Sequence, residues 1–293
     1  MVKLKFQRHS RIQEWVAEEL GLFEKLGLEY EIAHSDLPIS TDGPVLQSGA
    51  SPVAGAVQEA SAYQDFLLKC AETNIASTSH WAVDTAVSAG HGILWQKAYS
   101  VMPAGIYVRP GIKIGGLGDL AGMEIVAGRH SGSHFSAVHA LQAYIPSDAI
   151  KLKFVAGRSQ RLEYFLEQDG DVGSMYGQES YVLEQQGFQK VLDTSFMVNF
   201  MIVGTPASGD VEKYFEALRQ AQRAIDENQN KYKHYLLRDF PKKFRPLLNT
   251  QRCGIGERVV FDSYPKDLFI RSRDWALEQN ILPRNWGGDA VPD

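Results

Sequence analysis

The chain has 293 residues, of which 44% are hydrophobic and 22% charged, and its net charge is −5 at neutral pH. That length and composition suit a globular protein of one large or two smaller units with an ample core, and argue against disorder. The acidic balance and the lack of a sustained basic stripe exclude a nucleic-acid partner: the densest basic stretch, residues 231–245, is interrupted by aromatics and Asp239 and reads as a solvated helix and loop.

Residues 4–7 read as a short strand with Lys3 and Lys5 on its outer face. Ser10 then caps a helix whose apolar residues Ile12, Trp15, Val16, Leu20 and Phe23 recur at three and four, marking one buried face. Gly27 ends that helix, and 28–32 alternates as a second strand. This unit opens an α/β fold with a right-handed crossover, and it places Gln7, Arg8, His9 and Ser10 at the carboxyl end of the first strand, where open parallel sheets collect ligands. Residues 34–52, rich in Ser, Gly, Pro and Asp, read as a loop. A helix over about 53–70 follows, then a strand over 74–77 and the polar loop Thr78-Ser-His-Trp81. A loop histidine is more often a surface or capping group; the place of His80 after a buried strand, beside Ser77, Ser79 and Trp81, makes ligand contact an equal alternative. A strand over 92–99 and the apolar residues 101–108 lead across to a second lobe.

There the strands fall at 123–127, 151–155, 172–176 and 190–192, and the helices at about 135–144, 159–168 and 179–186. Alternation of strand and helix predicts parallel sheets with helices on both faces. The Gly/Ser loop between Arg129 and His134 opens a helix, so its backbone N–H groups, with Arg129, His130 and His134, are placed to face an anion or polar ligand. No Gly-Lys-Ser/Thr follows at the spacing of a phosphate loop. Residues 196–203 return the chain to the first lobe, Asp210 caps a helix with Val211, Tyr214, Phe215, Leu218 and Ile225 on one face, and 287–293 reads as a frayed tail.

Three segments carry a family resemblance: Glu19-Leu-Gly-Leu-Phe-Glu-Lys-Leu-Gly-Leu-Glu-Tyr-Glu31; Gly115-Gly-Leu-Gly-Asp-Leu-Ala-Gly-Met-Glu-Ile-Val-Ala-Gly-Arg-His-Ser-Gly-Ser-His134; and Asp169-Gly-Asp-Val-Gly-Ser-Met-Tyr176 together with Gln186-Gly-Phe-Gln-Lys-Val-Leu-Asp193. In order and spacing they resemble the SsuA/THI5/NMT1-like substrate-binding proteins, from about residue 3 to about residue 200. The resemblance implies an α/β, two-lobed type II periplasmic-binding-protein-like fold, each lobe a mostly parallel sheet with helices on both faces. Lobe I would comprise 1–102 and 201–293, lobe II 103–200, with the ligand cleft between them. It also implies a ligand-binding set at Gln7, His9, Ser10, Ser77, Thr78, His80, Trp81, Ser131, Gly132, Ser133, His134, Tyr176 and Gln178, to which the Gly/Ser loop reading adds Arg129 and His130, with Trp81 or Tyr176 stacking on a planar ligand. Arg158, after Gly157 at a strand-to-helix turn, reads either as a solvated helix-start arginine or as a bidentate anion contact.

The expected function is binding of a small organic anion or small aromatic solute as an ABC-transporter-type substrate-binding protein. The alternative is a cytoplasmic enzyme on the same fold. Related desulfinases carry a cysteine after the first strand, where this chain has Gln7-Arg-His-Ser10, and related pyrimidine synthases carry a cysteine-rich iron motif that it lacks. Acid–base chemistry by His9, His80 or His134 remains the candidate catalysis. Cys70 and Cys253 lie too far apart in sequence for a CxxC zinc or redox motif, and Cys70 reads as a buried hydrophobe. His130 and His134 have the spacing of a metal pair but no carboxylate at a third ligand spacing, so neither metal nor cofactor is expected. No apolar run reaches the roughly 18 residues of a membrane span. The N-terminus enters a strand at once, which suits a cytoplasmic protein, or a periplasmic one with its leader removed and an ABC permease as partner.

Overall fold

The computed structural model describes residues 3–9, 11–33, 46–47, 62–155, 157–167 and 170–279. Ser10, residues 53–61 of the expected helix and the tail at 287–293 lie outside them, as does the loop at 34–52 apart from 46–47. In chain order the strands are β1 (Leu4–Phe6), β2 (Tyr30–Ile32), β3 (Leu46–Gln47), β4 (Ile75–Ser79), β5 (Ile93–Met102), β6 (Ala104–Val108), β7 (Glu124–Ala127), β8 (Lys151–Phe154), β9 (Val172–Tyr176), β10 (Gln189–Asp193), β11 (Phe196–Ile202) and β12 (Arg258–Val260). The α-helices are α1 (Gln13–Glu19), α2 (Leu22–Lys25), α3 (Ala62–Cys70), α4 (His80–Ser88), α5 (Gly132–Leu141), α6 (Arg158–Leu166), α7 (Gln178–Gln185), α8 (Ser208–Glu227), α9 (Gln229–Tyr232) and α10 (Lys266–Glu278).

Among the described residues the strands form two six-stranded sheets, ordered β12-β5-β11-β4-β1-β2 and β10-β6-β9-β7-β8-β3. The two-lobed α/β architecture is as expected, but the sheets are mixed rather than mostly parallel. β1 runs parallel to β2 and β4, and β7 to β8 and β9. The remaining pairings, made by β11, β12, β6, β10 and β3, are antiparallel. The cause lies in the crossings. β5 runs into β6 through Pro103 alone, taking the chain from one sheet to the other, and β11 brings it back between β4 and β5 on the opposite heading. β6 is buried along its whole length and β11 along most of it, so their apolar runs carry no mark of strand sense.

Local sequence decides three further differences. The helix expected to run through Phe23 is two, because Gly21 adopts the left-handed region at φ 61°, which favours glycine. The apolar face survives the break: Val16, Leu22 and Phe23 stay buried, and Phe23 packs against Tyr214 of α8 at 6.1 Å between ring centroids. Asp210 sits in the first turn of α8, where its charge suits the helix dipole, while Ala207 holds the cap position. The expected polar loop at 78–81 does not exist. Thr78 and Ser79 complete β4, and His80 and Trp81 form the first turn of α4, a helix buried throughout. Leu46–Gln47, expected in a loop, pairs with β8.

Candidate functional site

The parallel strands of the second sheet each end in a turn that opens a helix. β7 leads through Gly128–Ser131 into α5, β8 through Gly157 into α6, and β9 through Gly177 into α7. Three helix N-termini thus meet one sheet edge, and each brings partial positive charge.

Two arginines occupy that edge. Arg161, in the second turn of α6, is 2% exposed. Its Nη1 donates to the Val155 carbonyl at 3.1 Å, whereas neither Nε nor Nη2 has a hydrogen-bond partner. Burial lowers its pKa, against the pull of Tyr176 and Glu179. Arg158 lies one helical turn earlier on the same face, its Nη1 3.5 Å from Glu179 Oε2 and its guanidinium 5.4 Å from the centroid of Tyr176. Burial acts to lower its pKa too, but Glu179, Tyr176 and Glu257 raise it overall. Two glycines make room for these side chains. A Cβ on Gly128 would clash with Arg161 Nη1 and Ser131 Oγ, and one on Gly177 would lie 2.5 Å from Arg158 Nη1.

The Gly/Ser loop is built inward. Ser131 Oγ donates to the Gly128 carbonyl at 2.7 Å and lies 2.7 Å from Ser133 Oγ, which accepts from the Gly128 N–H at 3.1 Å. The loop's hydroxyls therefore hold the turn. His130 is held at φ 49°, the left-handed region that a non-glycine residue enters at a cost of about 1–3 kcal/mol. Its N–H donates to His134 Nδ1 at 3.2 Å, leaving that ring's proton on Nε2. Burial and the Arg129 charge bring His130 down to about 4; burial, His130 and Arg129 take His134 well below the usual imidazole value. Gly132 packs so closely on Phe196 that no side chain fits there, and the Arg129 guanidinium lies 6.0 Å from the Phe154 ring.

The first sheet contributes the ends of β1 and β4. His9, just past β1, has its side chain 23% exposed, with Nδ1 2.5 Å from Glu257 Oε2. Glu257 is itself buried; its Oε1 accepts from Arg11 Nη1 at 2.8 Å and from Ser100 Oγ. Burial alone would raise the Glu257 pKa, but His9 and Arg11 hold it down at about 2. Arg11 also binds Glu14 at 2.7 Å and donates to Ser77 Oγ at 3.0 Å, so Ser77 is engaged within its own lobe. Gln7 and Thr78 are half-buried at the same edge. His80 is turned away: its Nδ1 donates to the Met197 carbonyl at 3.0 Å, and burial lowers it to about 4. Trp81 is 5% exposed, with Phe135, Phe196 and Trp275 within 6.4 Å. Tyr176 is half-buried and meets Phe196 edge-on at 5.5 Å, and Gln178 opens α7.

The sequence reading missed Arg161, Arg11 and Glu257. The i, i+3 spacing of Arg158 and Arg161 behind Gly157 is a signal for the first. Nothing local marks Glu257, which meets His9 across 248 positions of chain. Cys70 and Cys253 are both buried, and burial pushes their thiols up to about 12 and about 11, so neither supplies a thiolate. No metal-ligating cluster and no helix long and apolar enough to cross a membrane occurs among the described residues.

No family model matches the chain, and no curated protein sequence does. Solved structures do. The alkanesulfonate-binding protein SsuA from Xanthomonas axonopodis pv. citri, bound to MOPS, is similar at TM-score 0.66 and 14% identity, covering 97% of this chain and 95% of its own. The periplasmic aliphatic sulphonate binding protein SsuA from Escherichia coli matches at TM-score 0.66 and 14% identity, covering 100% and 93%. The desulfurization enzyme DSZB matches at TM-score 0.61 and 12% identity, covering 96% and 93%. The chain therefore has the two-lobed type II periplasmic-binding-protein fold, and that fold serves both a binder and an enzyme.

Proposed function

We propose that this protein binds a small organic anion between its lobes as a substrate-binding protein, the acid group resting on the Nε–Nη2 edge of Arg161 at the N-termini of α5, α6 and α7. The observation that carries the reading is that edge. Nε–H and Nη2–H form the parallel fork that grips a carboxylate or sulfonate bidentately, and both are buried without a partner. An uncompensated buried charge costs several kcal/mol, a cost that a bound anion offsets. Formal charge sets the ligand's sign: Arg158 and Arg161 face one carboxylate, Glu179, and Arg129 adds a further positive charge, so this wall is net positive and suits an anion.

The similarity to sulfonate-binding proteins supports a sulfonate as the first candidate, and with it work outside the cytoplasm as the partner of an ABC permease. Residues 1–102 and 201–293 would form one lobe and 103–200 the other, with all of β11 counted in the first sheet. The contacts are Arg161, Arg158, Arg129, Tyr176, Gln178 and the backbone N–H groups of Gly132 and Ser133 from one side, and Gln7 and His9 from the other. Catalysis by cleft histidines reduces to His9, since His80 and His134 are buried with Nδ1 committed to the backbone. Calorimetric titration with alkanesulfonates and alkanoates, against the matching neutral amides, tests the reading. The anions bind, the amides do not, and Arg161→Met weakens the anions at least about a hundredfold. Unchanged affinity in Arg161→Met would refute it.

A further inference from the structure

Between α9 and β12 the chain leaves the first lobe, reaches over two helices of the second and returns. This stretch, residues 233–256, is closed on itself. Buried Lys233 donates from Nζ to the Gln251 carbonyl at 3.3 Å, Arg245 donates to the Phe240 and Arg238 carbonyls at 2.9 and 3.1 Å, and Phe240, Phe244 and Leu248 are buried.

Its contacts with the second lobe fall on α6 and α7, the helices that carry Arg158, Arg161 and Gln178. The Gln185 side chain pairs with both backbone groups of Asn249: Nε2 donates to the carbonyl at 3.1 Å, and the Asn249 N–H donates to Oε1 at 2.8 Å. One turn earlier on α7, Tyr181 meets the returning chain. A Cβ on Gly254 would lie 2.9 Å from its hydroxyl, which hydrogen-bonds the Gly256 backbone, and Gly256 turns into β12 at φ 80°. Val182 and Leu183 of α7 share one buried apolar cluster with Cys253 and Ile255. Lys243 reaches Glu163 of α6 at 2.5 Å, an exposed pair that adds little. The residue after Gly256 is Glu257, which holds His9 in the opposite wall. The stretch therefore ties the arginine-bearing helices to that wall, through contacts that use neither arginine.

The chain passes between the sheets at Pro103 and at 194–195, where Met102, Ala104, Phe196, Trp81 and Phe135 are buried together. β10, five residues long, separates the end of α7 from the second crossing by about 16 Å at roughly 3.3 Å per residue. Contacts beside the crossings persist when the lobes turn about them, and contacts at that distance part.

We infer that residues 233–256 form a strap that holds the lobes shut before a ligand arrives, so that release of the Gln185–Asn249 seat gates entry and exit. Such a strap acts equally on the closed free form and the closed bound form. Weakening it in a protein that is already closed cancels in the equilibrium and appears in the rates, with association and dissociation quickened alike. In a protein that is open when free, the same change would weaken only the bound form, lowering affinity through faster dissociation at constant association.

Gln185→Met keeps the apolar stem and loses both hydrogen bonds, and Asn249 is exposed, so water meets its freed groups and the fold is retained. The reporter is the Ala62 amide at the start of α3, which donates to the Arg129 carbonyl of the other lobe at 3.1 Å, away from the strap. In the ligand-free chain it should exchange with solvent roughly tenfold faster in Gln185→Met, while amides within β11 keep their rates. Stopped-flow binding of ethanesulfonate should show association and dissociation each about tenfold faster, with Kd changed by less than about twofold. Gly254→Ala, which needs no positive φ and displaces Tyr181 instead, should act in the same direction. Unchanged Ala62 exchange in both variants would overturn the strap, as would a weaker affinity at an unchanged association rate. Failure of ethanesulfonate to bind the unaltered protein would defeat the anion reading and leave the exchange rates to decide the strap.

Discussion

At the proposed anion site, Arg161 should couple stability to binding in opposite senses. Its guanidinium keeps one carbonyl contact and two unpartnered N–H groups in a nearly dry place, and replacing an uncompensated buried charge with an apolar side chain of similar length is often neutral or stabilising by about 1–4 kcal/mol. Arg161→Met should therefore raise the urea midpoint of the unliganded protein while weakening anion binding. A drop of more than about 1 kcal/mol in unfolding free energy would show that the residue serves the fold. Gly128→Ala tests the same place from the other side. Gly128 needs no positive φ, and the atom its Cβ would meet is the far end of a flexible side chain, so the variant should fold but displace the guanidinium and cost roughly tenfold or more in anion affinity. Native affinity in Gly128→Ala would mean that Arg161 can deliver its fork from elsewhere.

The elements meet at the junction of α5 with the returning strand β11. Gly132 lies against the ring of Phe196, which is enclosed by Trp81 at 6.4 Å and Tyr176 at 5.5 Å and has little room to turn. Gly132→Ala should destabilise by about 1–3 kcal/mol through overpacking, and Phe196→Leu in the same chain should recover part of that loss. Additive losses in the double variant would show that the two positions do not touch. The sequence made the flanks of this junction legible: 123–127 and 172–176 are short apolar runs bounded by Gly and polar residues, and Gly157, Gly177 and Gly187 mark turns that all take positive φ. It concealed the Gly21 break, because the apolar period runs on through 22 and 23, and it concealed strand sense in fully buried strands. Within the site, the Gly/Ser loop was recognisable as a helix opening, but local pattern does not say whether a hydroxyl points to the ligand or back to its own turn, and Ser131 and Ser133 do the latter. The Arg11–Glu257–His9 cluster was invisible for a different reason, since it joins residues nearly a whole chain length apart.

Taken whole, the molecule carries an acid weakness that bounds how its site can work. His80 and His130 lie near 4 and His134 below the usual value, all three chiefly because burial penalises the imidazolium. Each is neutral in the fold and protonates near 6.5 once unfolded, so the unfolded chain binds more protons below that point. The stability they contribute is complete above about 6.5 and is lost as pH falls towards 4, with a slope of up to about 4 kcal/mol per pH unit near pH 5 if all three take part. Glu257 adds a lower window: held at about 2 against 4.5 in an unfolded chain, it contributes about 3 kcal/mol above 4.5 that is lost as pH falls towards 2. A protein of this kind is stable by about 5–15 kcal/mol, so the histidine window alone is enough to bring acid unfolding into the range of about 4 to 6. Urea unfolding at a series of pH values should give a flat free energy above about 7 and a steep fall below 6, shallower in His80→Gln. A curve flat down to pH 5 would mean that these rings are not held neutral.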